Sequence, residues 1–181
     1  MGDVIDRDGF RANVGMMLMS GDGRLFIARR AGGRGWQFPQ GGMRSGETDE
    51  ESLFRELREE IGLDADDVQI IGRTRHWLRY RLPSRYVRQN VQPLCLGQKQ
   101  RWFLLRLRHA EPQFRFDVTP QPEFDRWRWV DYWQPIREVI YFKRAVYGRV
   151  LQEFEPVLFR RERRIVGEAA AVTARSEPAA P

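Results

Sequence analysis

Three glutamates, Glu56, Glu59 and Glu60, stand at i, i+3 and i+4 within the stretch Gly41–Leu63, GGMRSGETDEESLFRELREEIGL. On a helix this spacing puts them along one flank, where like charges repel one another. A hard dication such as Mg2+ or Mn2+, which takes oxygen ligands, would remove that penalty. An acidic helix face can also simply be solvated. Two neighbours argue for chemistry instead: Arg55 lies beside the carboxylates and can brace one of them, and Gly41 and Gly42 permit close backbone approach.

The element that must position these groups is a helix with well-marked ends. Thr48 is a good N-cap and Glu51 follows three residues later, a capping box, while Gly62 marks the stop. Between them Leu53, Leu57 and Ile61 recur at helical spacing, giving a buried stripe beside the acidic flank. The sequence therefore predicts a helix over Asp49–Ile61.

The rest of the composition bounds the molecule. A chain of 181 residues, 41% hydrophobic and 31% charged, has the makeup of one globular domain with a substantial core. The longest apolar run, Val14–Met19 broken by Gly15, is far too short to span a bilayer, and the N-terminus has no basic-then-apolar leader, so neither secretion nor membrane insertion is expected. Cys95 is the single cysteine, which fits a reducing cytoplasm. A net charge of +6 and a pI near 10.1 contrast with the acidic helix. Positive charge must gather elsewhere, either for a polyanionic ligand, the simplest reason, or as a generally Arg-rich, soluble surface.

Taken in order, Val14–Met19 reads as a strand covered on both faces, and Leu25–Ala28 as the second arm of a hairpin. Trp36–Pro39 is a short extended segment that Pro39 confines to an edge or strand end. Strands are expected at Val68–Ile71, Thr74–Arg81, Gln100–Leu107 and Asp125–Val130, with a weak edge strand around Phe114–Phe116. Trp127 and Trp129 are expected as core and sheet-face residues. Leu82–Leu96 reads as a long loop suited to function. Residues Pro135–Phe154 fit one long amphipathic helix. This order implies an α+β domain over residues 1–155, a mixed sheet packed between helices, followed by a disordered basic and then Ala/Pro-rich tail at 156–181.

Gly41, Glu47 and the run Arg55-Glu56-Leu57-Arg58-Glu59-Glu60-Ile61-Gly62-Leu63 match the Nudix box at each defined position. Flanking segments extend the likeness: Gly9-Phe10-Arg11, Asn13-Val14-Gly15, Trp36 to Gly42, Gly97 to Phe103, Pro122 to Asp125 and Phe142-Lys143-Arg144. From about Ile5 to Phe154 the chain resembles the branch of bacterial RNA pyrophosphohydrolases and related dinucleoside polyphosphate hydrolases. The resemblance implies the αβα sandwich of the Nudix fold and hydrolysis of a pyrophosphate bond with Mg2+ or Mn2+. Its expected substrate is 5'-triphosphorylated RNA, whose loss of pyrophosphate promotes mRNA decay.

The resemblance also implies a site. Glu56, Glu59, Glu60, Glu123 and the Gly41 carbonyl would be metal ligands, with Glu56 or Glu123 as the base and Arg55 and Glu47 orienting the carboxylates. Arg11 and Arg30 would contact phosphates, Phe142 would stack on a base with Ile140 beside it, and Lys143 would touch the RNA backbone. Phe142 reads equally well as a core residue of the last helix. Arg79, Arg81, Arg85 and Arg88 offer a basic surface to an RNA chain or to solvent. Two alternatives remain at this point. One is an enzyme for free dinucleoside polyphosphates; the other is an RNA-binding protein that has lost catalysis, which would be expected to have a broken carboxylate set.

Overall fold

The computed structural model describes residues 4–33, 35–109 and 112–158. Its centre is β1 (Phe10–Met19), buried at nearly every position. Beside it runs β7 (Gly97–Leu107) in parallel register, with Val14 opposite Arg101 and Met16 opposite Phe103. Strand β1 carries a glycine in mid-strand for a visible reason: a Cβ on Gly15 would meet the Trp102 ring of β7 at 2.5 Å.

On the other edge of β1 the expected hairpin is only partly formed. Strand β2 (Leu25–Arg30) meets β1 at the single pair Met19 and Leu25 and then diverges. The vacated edge is taken by β4 (Gln40–Gly42), which pairs with Asn13–Gly15. Strand β3 (Trp36–Gln37) pairs with β2, and Pro39 separates it from β4, as its missing N–H demands. Beyond β7 lies β5 (Val68–Arg73), while β6 (Leu78–Arg81) pairs with the start of β7 and β8 (Phe124–Val130) with β2. Among the described residues these eight strands make one mixed sheet.

Helices cover both faces. Helix α1 (Asp49–Ile61) has the expected bounds and both halves of its capping box, and it ends at Gly62 in left-handed conformation. Its Leu53, Leu57 and Ile61 pack on Val14, Met16, Leu18, Phe103 and Leu105. The opposite face takes Val146, Tyr147, Val150, Leu151 and Phe154 of α3, helical over 144–158, against Met17, Met19, Trp102 and Leu104. This is the expected αβα sandwich.

Three expectations need correction. The strand anticipated over Thr74–Arg81 begins only at Leu78, because Thr74 instead bonds the Trp102 backbone through its own N–H and hydroxyl. No strand forms at Phe114–Phe116; this loop is held by its rings, with Phe114 4.6 Å from Phe26 and 4.7 Å from Trp127. The long last helix is broken. A single turn, α2 (Pro135–Glu138), is followed by extended Val139 and Ile140, a 3-10 turn at Tyr141–Lys143, and then α3. Val139 and Ile140 are both β-branched and favour extended backbone, which buries Val139 in the core. Helix α3 carries residues 156–158, assigned from the sequence to the tail, and Leu158 packs into the core; the rest of the expected tail lies outside the described residues.

Tyr147 ties α3 to the segment entering the site. Its hydroxyl accepts a hydrogen bond from the Phe38 N–H at 2.9 Å, and the two rings stack at 4.9 Å. Tyr147→Phe leaves that buried N–H without a partner, so a urea melt of the variant is expected to show a loss of about 1–3 kcal/mol with an unchanged slope.

Candidate active site

The acidic flank of α1 is organised by one side chain. The Arg55 guanidinium donates from Nε and Nη2 to the two oxygens of Glu47 at 2.6 and 2.8 Å. Nη1 reaches Glu56 at 2.6 Å and Glu59 at 3.3 Å, and Nη2 also reaches the Gly42 carbonyl at 2.8 Å. Arg44 adds a contact to Glu59 at 3.0 Å. The Arg55 fork, together with Ser52 and the Arg44 N–H, holds the Glu47 carboxyl down at about 2.

Glu60 lies deeper. It is buried, and one oxygen accepts from the Gln40 N–H at 2.8 Å. Burial, with Glu56 and Glu123 nearby, pushes its carboxyl well above the ordinary range. Glu56 is raised too, chiefly by burial and against the pull of Arg55. Strand β4 passes so close to Glu56 that a Cβ on Gly41 would lie 1.8 Å from its carboxyl carbon, and one on Gly42 would lie 2.1 Å from an Arg11 nitrogen. These two glycines are required by the approach of charged side chains.

Glu123 arrives from far along the chain. Antiparallel pairing of β2 with β8 sets Arg30 opposite Phe124, at an irregularity after Arg29. The preceding Glu123 then accepts from Arg30 Nε at 2.9 Å. Lys143 comes from the 3-10 turn before α3 and is buried, its Nζ donating to Gln37 Oε1 at 3.1 Å. Burial, with Arg30 beside it, brings its ammonium down to about 8.

These groups surround one cavity of about 320 Å3, lined by Gly41, Glu56, Glu60 and Glu123 on its acidic side and by Arg11, Arg30 and Lys143 on its basic side. Glu59 is outside this lining, on the wetter side of α1. Ile140 and Phe142 line a second cavity of about 420 Å3 that shares Arg11, Arg30, Gln37, Gln98 and Lys143 with the first. Phe142 is thus no core residue of a long helix; it is half-buried at the turn, its ring 5.7 Å from that of Tyr80.

The four arginines expected to form one basic surface divide. On β6 the side chains alternate, so Tyr80 faces the second cavity while Arg79 and Arg81 lie over the Phe10 ring on the other face. Only Arg85 and Arg88 belong to the cavity side.

Sequence reasoning assigned no role to the amides around the site. Gln40 and Gln100 bond side chain to side chain at 3.2 Å, Tyr80 donates to Gln98, and Gln37 receives Lys143. The available signal is Gln98 and Gln100, uncharged polar residues two apart and so facing one way on the strand.

The residues suit a hard cation. Two carboxylates with raised proton affinity, Glu60 buried and Glu56 half-buried, call for positive charge, and the buried Asn13 Oδ1 on the same cavity wall has no hydrogen-bond partner. In this arrangement no three acidic, histidine or cysteine side chains among the described residues converge into a ready-made ion cage; Arg55 and Arg30 hold the outer ones instead.

The Glu47 pairing carries a pH signature. Its folded carboxyl titrates near 2, below the ordinary 4.5, so its stabilisation is complete above about pH 4.5 and lost as pH falls toward 2. Melting temperatures measured across that window should fall less steeply for Glu47→Gln than for the parent chain.

The family model described as NUDIX domain matches residues 9–154. A protein of Alkalilimnicola ehrlichii named RNA pyrophosphohydrolase is 57% identical over 156 residues, covering 86% of each chain. One of the same name from Pseudomonas aeruginosa is 57% identical over 159 residues, 88% of this chain and all of the relative. Among solved structures, the E. coli dihydroneopterin triphosphate pyrophosphohydrolase superposes with a TM-score of 0.62 at 21% identity, over 83% of this chain and 99% of its own. A C. elegans Ap4A hydrolase complex gives 0.61 at 16% identity, over 81% and 96%. At such identities these two establish the shared fold. The match of a family model to most of the chain, and of relatives along nearly their whole length, shows that this chain belongs to the Nudix family.

Proposed function

We propose that this chain hydrolyses the 5'-triphosphate end of RNA, releasing pyrophosphate and leaving a 5'-monophosphate, with a divalent cation, Mg2+ or Mn2+. The observation that carries the reading is the joined pair of cavities. An acidic and basic chamber opens through Arg11, Arg30 and Lys143 into a chamber lined by Tyr80, Tyr86 and Phe142, so phosphates in the first leave the attached nucleoside in the second. Relatives named RNA pyrophosphohydrolase, 57% identical over most of the chain, support the same substrate. RNA of this kind is met in the cytoplasm, and the free Cys95 asks for no oxidising compartment.

The residues divide the work. Arg11, Arg30 and Lys143 bind the polyphosphate, and Phe142 stacks on a base with Ile140 beside it. Glu56, Glu59, Glu60, Glu123 and the Gly41 carbonyl would hold the cation, which when bound neutralises phosphate charge and makes water more acidic. Glu56, half-buried with a raised proton affinity, or Glu123 on the same wall takes the proton from the attacking water. The water oxygen bonds to the α-phosphorus as the α–β anhydride bond breaks, and pyrophosphate departs with the electron pair of that bond. Arg55 and Glu47 orient the carboxylates without touching substrate.

The test gives purified protein, with Mg2+ or Mn2+, a 5'-triphosphorylated RNA and diadenosine tetraphosphate at matched concentrations. Pyrophosphate release from the RNA is expected. Cleavage of the small molecule alone would make the chain a dinucleoside polyphosphate hydrolase, and RNA binding without cleavage of either would leave a binding protein on a Nudix fold. Glu56→Gln should abolish turnover while leaving the fold intact, because the amide oxygen can still accept from Arg55 Nη1.

A further inference from the structure

The loop after β6 and the turn before α3 meet beside the second cavity. There Tyr86 of the cavity wall is joined by Arg85 and Tyr141, two residues that the reaction above does not use. The Arg85 guanidinium lies 5.0 Å from the Tyr86 ring centre and 5.9 Å from that of Tyr141, and it reaches the Tyr141 hydroxyl at 3.5 Å. Both tyrosine rings abut Phe142, at 5.2 and 5.4 Å. Packing on Phe142 does not account for them, since Tyr86 remains 42% exposed and Tyr141 52% exposed.

Large aromatic surfaces left in water beside a guanidinium match what single-stranded nucleic acid needs: a flat face for a base and a cation for its phosphate. Direction follows from chemistry. With the 5' phosphates in the charged chamber and a nucleoside against Phe142, a chain that continues 3' past Tyr86 and Arg88, which form part of the second cavity's wall, comes to this cluster. Arg79 and Arg81 lie on the other face of the sheet, so they do not compete for that path.

We infer that Arg85, Tyr86 and Tyr141 form a stacking platform for the base that follows, on the 3' side, the nucleotide held against Phe142. The platform makes the enzyme read RNA length. It rests on the RNA reading of the active site, and the test separates the two.

The full chain, with its divalent cation, is assayed for kcat/KM on 5'-triphosphorylated oligoribonucleotides lengthened one nucleotide at a time. The parent enzyme should show a step at one added nucleotide of roughly fivefold to tenfold, the scale of one base stacked on an aromatic ring. Tyr141→Ala should erase the step and leave shorter substrates unchanged, while Tyr141→Phe keeps it. Tyr141 is exposed, so neither change threatens the fold. An equal fall at every length, or an intact step in Tyr141→Ala, overturns the platform. A parent enzyme that cleaves every length equally well overturns the platform alone; one that cleaves none of them removes the RNA reading and the platform with it.

Discussion

Holding several like-charged carboxylates close together is the constraint on which the site depends, and Arg55 meets most of it. A guanidinium has five N–H groups in a rigid plane, and here they go to the two oxygens of Glu47, to Glu56, to Glu59 and to the Gly42 carbonyl. One cation thereby joins α1, the loop before it and β4. A lysine, with a compact ammonium and three donors, could not span the same acceptors, so Arg55→Lys would not be a conservative change. Glu60 lies beyond the reach of this fork, and its carboxyl is left to the Gln40 N–H and to whatever cation enters the cavity.

The counter-charge facing this wall comes from other elements. Arg30 stands at the end of β2, Arg11 near the start of β1 and Lys143 in the turn before α3. The acidic wall rides on the helix of one sheet face, and Lys143 rides beside the helix of the other. The site therefore sits where the ends of several strands let the two faces meet, and its shape depends on the packing of both layers. The amides of Gln37, Gln40, Gln98 and Gln100 fill the space between.

What could be read in the sequence was local. The capping box, the apolar stripe and the glycine stop of α1 lie within fifteen residues of one another, and the structure reproduces the helix with the expected bounds. What escaped was set by distant partners. Nothing near Thr74 shows that Trp102 will claim its backbone, and nothing near Ile136 shows that burying Val139 will outweigh a continuous helix. The proximity of Glu123 to the acidic flank depends on the β2–β8 register, and no spacing in the chain encodes it; the family resemblance brought it in. The arginines of the Arg79–Arg88 stretch looked like one patch because strand alternation and the turn after β6 are invisible in a count of charges.

The parallel pairing of β1 with β7 also has a consequence for how the protein comes to exist. Met16 finds its partner Phe103 only after α1, β5 and β6 have been made, and such distant pairings are slow to form. During synthesis helix α1 emerges early, with its acidic flank complete, but it has only half a sheet to lean on. Arg30 then waits for Glu123, and Gln37 for Lys143. A ribosome carrying the first two-thirds of this chain holds an acidic helix without an enzyme, and activity appears as a late event in the life of each molecule.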